Sequence, residues 1–481
     1  MIRISLIILS FFCCMTYVST QELPPPPAEP KPIKLPRIRE TRLKNGLLIS
    51  VVEKKGSSLV NVGLVIKNGA AAETPEKAGL ANMTAELLTK GTRTRSAEKV
   101  AEDIEFLGGS LNSSAFWNGI YVSMEVTDDK LNSAMPIFAD VVLNPTFRPK
   151  EIEILRAQLQ DNLAYNLKQP SFLANYVASS FVYSEHPQGG TLESLKNISR
   201  SDIVSFYKQN FSPRNAVLVI VGDITFQKAT ALANRFFGSW TSSAEEKMAQ
   251  KSAAFKYSKD LKILIVDLPD SGQAAVLYAK KIGVSRSNKA ELFSGLVANS
   301  VLGGGYSARL NQEIRIKRGL SYGAGSSFSW RVDSANFSAR AQTKNESAAE
   351  VVELMLAEVT RLSTTEASED EMKPRKAALV GNLARETETC AGLARRLAEL
   401  YFLNASTDEI KNFTDSIDRV SKSDVMSFAA KYLRDGFFVV VGDYKKMKDA
   451  FTRRFPGIQI NVISADEINL KKLLSLRQIA Q

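Results

Sequence analysis

The sequence predicts an α+β protein built from two copies of one domain in tandem, each a mixed sheet with packed helices. Three observations carry that expectation. Ser199-Arg-Ser-Asp202-Ile-Val-Ser-Phe206 is echoed by Ser421-Lys-Ser-Asp424-Val-Met-Ser-Phe428. Val217-Leu-Val-Ile-Val-Gly222-Asp223 is echoed by Phe437-Phe-Val-Val-Val-Gly442-Asp443. Both echoes fall at nearly one offset, about 220 residues, which is how an internal repeat shows itself. The length, 481 residues, leaves room for both copies.

Residues 1–20 read as a secretory leader. Arg3 is the positive start, Leu6 to Met15 is the apolar stretch, and Val18-Ser19-Thr20 is a small-residue cleavage site. The apolar stretch is too short for a membrane span. Phe12 and Cys13 disfavour a lipid-attached start at Cys13 or Cys14. The expected location is therefore secreted, in the periplasm. Residues 21–39 carry seven prolines and read as an extended linker.

The N-terminal domain is expected over 40–240. Asn45-Gly46 between strand formers marks a hairpin, and Leu59 to Ile66 a further strand. Thr74-Pro75 reads as the start of a helix reaching Thr89, with Leu80, Met83, Thr84, Leu87 and Leu88 on one face. A strand pair with its turn at Asn118-Gly119 spans Leu111 to Val126. Helices follow at 128–142, 149–168, 171–183 and 201–210, then a buried strand at Ala216 to Val221 and a helix to Phe237.

Residues 241–260 are polar and read as a linker. The C-terminal domain is expected over 261–450. It has strands at 262–267 and 273–282, a helix from Lys289 to Leu302, two strands in Phe328 to Thr343, and helices at 346–363, 367–390, 391–402 and 422–433. The strand Gly436 to Val441 closes it, and 451–481 reads as a mixed tail. Each echo of Ser199 and Ser421 places a serine N-cap three residues before an aspartate, a capping-box-like start.

Charge and composition narrow the function. The net charge is +11 but dispersed, with no basic cluster interleaved with aromatics, so nucleic-acid binding is disfavoured. A basic surface suits acidic partners or lipid headgroups. Without the leader the chain keeps one cysteine, Cys390, hence no internal disulfide, and one histidine, His186. A catalytic zinc needs about three N, S or O ligands, so this chain is poor in donors.

The stretch Val301 to Gly325, VLGGGYSARLNQEIRIKRGLSYGAG, is the richest candidate. Gly303, Gly304 and Gly305 break an apolar helix. Arg318 and Tyr322, each followed by glycine, offer a fixed cation and a phenol beside accessible backbone, which suits a peptide carbonyl or carboxylate. A helix C-cap followed by a strand with a solvated arginine is the plainer reading of the same residues.

Over about residues 40–445 the chain resembles the pitrilysin/insulinase-like metallopeptidases, the inverted-zincin family. Gly79-Leu80-Ala81, Lys90-Gly91-Thr92, Gly108-Gly109, His186-Pro187, Gly190-Thr191, Asn215 to Asp223 and Leu302 to Gly323 carry the resemblance in the right order. That family holds zinc with His-x-x-Glu-His on one helix. Laid on this chain, those positions are Asn82, Ala85 and Glu86, and a further Glu ligand falls near Asp161 and Asn162. The resemblance therefore implies no metal here. It also implies that Arg318 and Tyr322 match a pair that grips the substrate carbonyl and steadies the oxyanion. Ser114, Ala115 and Phe116 would begin a strand that pairs with substrate backbone, and Gly303 to Gly305 match a loop implicated in substrate handling. The function implied is a non-catalytic subunit of a heterodimeric zinc metallopeptidase, with zinc in a homologous partner and the Arg/Tyr pair supplied in trans. The alternative is a non-enzymatic scaffold or peptide-binding protein of the cell envelope.

Overall fold

A computed structural model describes residues 36–241 and 262–480. The expected leader, most of the proline-rich linker and nearly all of the 241–260 linker lie outside the described residues.

The hairpin at Asn45-Gly46 forms as expected, with β1 (Ile38–Arg42) antiparallel to β2 (Leu48–Glu53). Gly46 turns the chain at φ +94°, where L side chains are strained. Four further strands complete the first sheet: β3 (Leu59–Ile66), β4 (Ser110–Ala115), β5 (Ile120–Thr127) and β6 (Ala216–Gly222). The second sheet holds β7 (Lys262–Asp267), β8 (Ala274–Ile282), β9 (Ala324–Trp330), β10 (Ala335–Thr343), β11 (Phe437–Gly442) and β12 (Ile460–Ser464). The strand orders are β1-β2-β6-β3-β5-β4 and β12-β7-β11-β8-β10-β9. Position by position, β2, β6, β3, β5 and β4 match β7, β11, β8, β10 and β9. The two strands beginning each echo, β6 and β11, are buried along their whole length and pair in parallel with β2 and β7. Strands with both faces covered read as continuous apolar runs, and these do.

The outer place beside β2 and beside β7 is filled differently. β1 precedes β2 and runs antiparallel to it, whereas β12 comes from the chain's end and runs parallel to β7. The 451–481 segment is therefore no tail. It supplies an edge strand and a helix, Leu470–Ala480, which packs on helix Pro170–Phe181 and buries Leu473 and Leu476.

The halves exchange one helix each. Helix Pro170–Phe181 of the first half lies on β8 and β11, and helix Cys390–Phe402 of the second lies on β3 and β6. Both exchanged helices end in a left-handed residue, Ser184 at φ +53° and Asn404 at φ +50°. Phe181 meets Phe437 edge to face at 5.3 Å, and each buried ring contributes roughly 1.5–3 kcal/mol. Tyr183 Oη donates to the Phe337 carbonyl at 3.0 Å, and Cys390 Sγ to the Leu59 carbonyl at 3.3 Å.

Two helical expectations change. Thr74-Pro75 starts only a 3₁₀ turn, Pro75–Lys77. Gly79, at φ +94°, then resets the backbone, and the helix proper is Leu80–Leu87. A helix at Ala97–Phe106, capped by Ser96 and burying Val100 and Ile104, was not expected.

Candidate functional site

Arg318 and Tyr322 sit on the loop between a π-helical turn, Gln312–Ile316, and the edge strand β9. Gly319, at φ +64°, makes the bend that only a residue without Cβ adopts cheaply. Tyr322 is 89% exposed and its hydroxyl has no hydrogen-bond partner among the described residues. Arg318 folds back onto Glu313, with Nη1 donating to Oε2 at 2.5 Å and to the Glu313 carbonyl at 3.1 Å. Lys317 and then Arg318 hold the Glu313 carboxyl below its usual range. The phenol is thus free, while the guanidinium is held by a partner it would have to share with a ligand.

The glycine-rich segment lies against the start of β9. Gly303 caps helix Lys289–Leu302, and its carbonyl accepts from Ser326 N at 3.0 Å. A Cβ on Gly303 would stand 2.3 Å from Ser326 N, so close packing alone demands glycine there. Asn311 Oδ1 accepts from Ala324 N at 3.2 Å. Gly304 and Gly305 are exposed, and Gly305 faces Arg375, which is buried and donates to Ser307 Oγ. The segment therefore ends a helix and closes the outer edge of β9 at its first residues, and Arg318 and Tyr322 flank the same strand start.

Ser114 and Ala115 end β4 rather than begin it, and Phe116 lies beyond the strand in the turn. β4 is the other sheet's edge. The Ala115 carbonyl accepts from Gln188 Nε2 at 2.7 Å, and Phe116 packs on Phe402 at 5.8 Å. Phe116 thus serves the junction between the halves.

The helix Leu80–Leu87 keeps the frame of a metal helix without its donors. Asn82 Nδ2 donates to Glu86 Oε1 at 2.8 Å, and Ala85 is fully buried. Asp161 and Asn162 lie exposed on helix Pro149–Asn166, which packs against it. Among the described residues no cluster of three His, Cys, Asp or Glu side chains stands ready for a metal. An amide, a methyl group and one carboxylate committed to that amide do not fit the family's zinc.

Glu73 was missed in the sequence. Its side chain is wholly buried, and its two oxygens accept from Gly79 N at 2.8 Å and Ala81 N at 2.7 Å, fixing the start of helix Leu80–Leu87. Burial pushes its carboxyl up to about 8, against the pull of those backbone N–H groups. His186 Nε2 meets the Ala70 carbonyl at 3.1 Å and so carries a proton, while Nδ1 lies 3.6 Å from Glu73. The one signal for Glu73 was an acid between alanines and Thr-Pro, ahead of a glycine.

Comparison with known proteins identifies the family and the fold. The family model described as "Insulinase (Peptidase family M16)" matches residues 49–193, and the one described as "Peptidase M16 inactive domain" matches 197–379. An uncharacterized zinc protease of Rickettsia felis is 25% identical over 397 residues, covering 81% of this chain and 94% of its own. Another, of Mycobacterium leprae, is 26% identical over 427 residues, covering 88% and 95%. In fold, the chain is similar to the crystal structure of a peptidase M16 inactive domain from Pseudomonas fluorescens, with TM-score 0.77, 21% identity and coverage of 84% and 98%. It is equally similar to a protease from Helicobacter pylori, with TM-score 0.77, 20% identity and coverage of 85% and 100%.

Proposed function

Because the chain belongs to peptidase family M16 yet has no zinc ligand set at the family's motif positions, we propose that it is the zinc-less subunit of a divided peptidase. A homologous zinc-bearing subunit would hold the hydrolytic centre. This chain would supply Arg318 and Tyr322 in trans, binding the peptide carbonyl and donating hydrogen bonds where negative charge develops. The compartment proposed is the periplasm, on the strength of the leader; among the described residues no helix is long and apolar enough to cross a membrane.

The observation that carries the proposal is the loop itself. A tyrosine 89% exposed and unpartnered, four residues from an arginine, on a glycine-permitted bend, has no packing reason to stand there. The test is a native pull-down of the tagged chain from its own cell envelope, with zinc content and peptide hydrolysis measured on eluate and chain alone. Zinc and hydrolysis confined to the complex are expected. Arg318→Ala and Tyr322→Phe should each lower kcat of that complex about a hundredfold without preventing assembly. Wild-type rates from both variants would overturn the role in trans. The scaffold reading draws on one specific contact, the Arg318–Glu313 pair. Glu313→Gln separates the two, since it raises the rate if Arg318 serves substrate and leaves a scaffold unaffected.

A further inference from the structure

The junction between the halves has two sides that the repeat makes equivalent, and they are built differently. On one side the turn after helix Pro170–Phe181 carries Glu185, which takes Arg331 through both oxygens at 2.9 and 2.6 Å and also accepts from Asn336 at 3.0 Å. On the other side the turn after helix Cys390–Phe402 has Ala405 at the position equivalent to Glu185. The position equivalent to Arg331 is Phe116, at the β4–β5 turn, so no such ion pair closes that side. A cavity of about 340 Å³ lies between the two turns, walled by Phe116, Trp117, Phe328, Trp330 and Phe402, with Arg331 and Arg395 at its lining.

We propose that this cavity binds a small apolar carboxylate, its body between the aromatic rings and its carboxylate on the Arg395 guanidinium. Cavities of a few hundred Å³ at domain junctions, mostly apolar with a few polar groups, are where small ligands bind. The charges select the anion. Arg286, Arg331 and Arg395 line the cavity against a single carboxylate, Glu399. Arg286 is taken by Glu409 at 2.5 and 3.2 Å, and Arg331 by Glu185. Both arginines also lie over tryptophan faces, Arg331 over Trp117 at 5.2 Å and Arg286 over Trp330 at 5.7 Å, which braces the aromatic walls. Glu399 is engaged by Arg396 at 3.2 Å. Arg395 is left, 65% exposed, with Glu386 no nearer than 3.9 Å. Burial pushes the Glu386 carboxyl up, which weakens it further as a counter-ion. Of the three arginines lining the cavity, Arg395 thus has the most distant carboxylate and sits at the rim of an apolar space.

The test uses the full mature chain with decanoate and 1-naphthylacetate as probes and the matching alcohols as neutral controls, by calorimetry and tryptophan fluorescence. Trp117 and Trp330 wall the cavity, whereas Trp240 packs on Phe237, so a bound probe changes the emission of two of three tryptophans. The acids should bind about tenfold more tightly than the alcohols, as a charge-assisted hydrogen bond allows. Arg395→Gln, at an exposed side chain, should erase that preference while sparing the alcohols' affinity. Ser329→Trp, at an exposed lining position, should block both probes. A short peptide with a C-terminal phenylalanine, as acid and as amide, decides the source of the carboxylate. Binding of the peptide acid alone assigns the cavity to peptide C-termini, and binding of the free acids assigns it to small molecules. Binding of neither, equal binding of acid and alcohol, or indifference to both variants overturns the proposal.

Discussion

The two halves share a strand order, an exchanged helix and a capped helix before the buried strand, yet they keep different chemistry. The first half retains the skeleton of a metal helix, with Glu73 fixing its start and Ser194 Oγ donating to the Ala78 carbonyl at 2.7 Å, but Asn82 and Ala85 stand where donors belong. The second half presents a polar pair on an exposed loop. Its equivalent of the sealing Glu185 is an alanine. A duplicated fold thus holds its shape through backbone capping and helix exchange, which constrain few side chains, and leaves the side chains that would do chemistry free to diverge.

The largest effect should come from breaking the sealed side of the junction. Glu185→Ala leaves the guanidinium of Arg331, 13% exposed, without its anion. Losing one partner of a buried pair costs about 3–5 kcal/mol. Phe402→Ala strikes the open side, where the ring packs on Phe116 and crowds Gly119. A buried Phe→Ala costs about 3–5 kcal/mol, and the adjoining cavity places this one at the lower end. Denaturant titration of both variants orders them. Equal losses would mean that the cavity side is packed as tightly as the other.

Next comes pH. Glu73 has its carboxyl raised by burial from 4.5 to about 8. A raised carboxyl binds its proton more tightly in the folded state, so its contribution is fully present below about 4.5 and is lost as pH rises to about 8. Melting temperature should fall across that window. Glu73→Gln should flatten the fall while lowering stability at pH 5, because one backbone N–H then faces an amide nitrogen. An unchanged slope in the variant would mean that Glu73 does not set the pH dependence.

A weaker effect tests whether the metal frame survives. Asn82→His and Glu86→His, combined with Asn162→Glu, rebuild an i, i+4 pair and a third donor on packed helices. One zinc per chain by equilibrium dialysis is expected if the helices keep their spacing, and none if the frame has relaxed.

What could be read beforehand followed from local physics. β3 and helix Lys289–Leu302 fall where their apolar pattern sets them. Apolar periodicity also marked most helices, but Gly79 was hidden inside one such pattern, since no periodicity reveals a positive φ. Ser96 ahead of Val100 and Ile104 was a cap signal for the overlooked helix. β12 carried little: five residues at a sheet edge, none of them buried, have almost no pattern to show. Arg318 and Tyr322 were singled out by glycine spacing and family resemblance, and the structure places both on one exposed loop. Glu73, Glu185 and the junction cavity depend on contacts between residues far apart in the chain, and a lone acidic residue says nothing about its burial.

The smallest expected difference lies in the feature that exposed the repeat. Ser199 Oγ accepts from Asp202 N at 3.2 Å and Asp202 Oδ2 from Ser199 N at 2.8 Å; the corresponding distances at Ser421 and Asp424 are 3.1 and 2.8 Å. Ser199→Ala and Ser421→Ala should therefore each cost about 1 kcal/mol, and the same within error. The aspartates should part slightly. Asp202 also accepts from Lys77 Nζ at 2.7 Å, a part-buried ion pair, whereas Asp424 has none among the described residues. Such a pair contributes about 0–1 kcal/mol and is screened by salt. Asp202→Ala should exceed Asp424→Ala by a few tenths of a kcal/mol at low salt, and the gap should close at about 1 M. A gap that persists at high salt would trace to packing rather than to Lys77, and would mean that the two capped helices are less alike than their sequences.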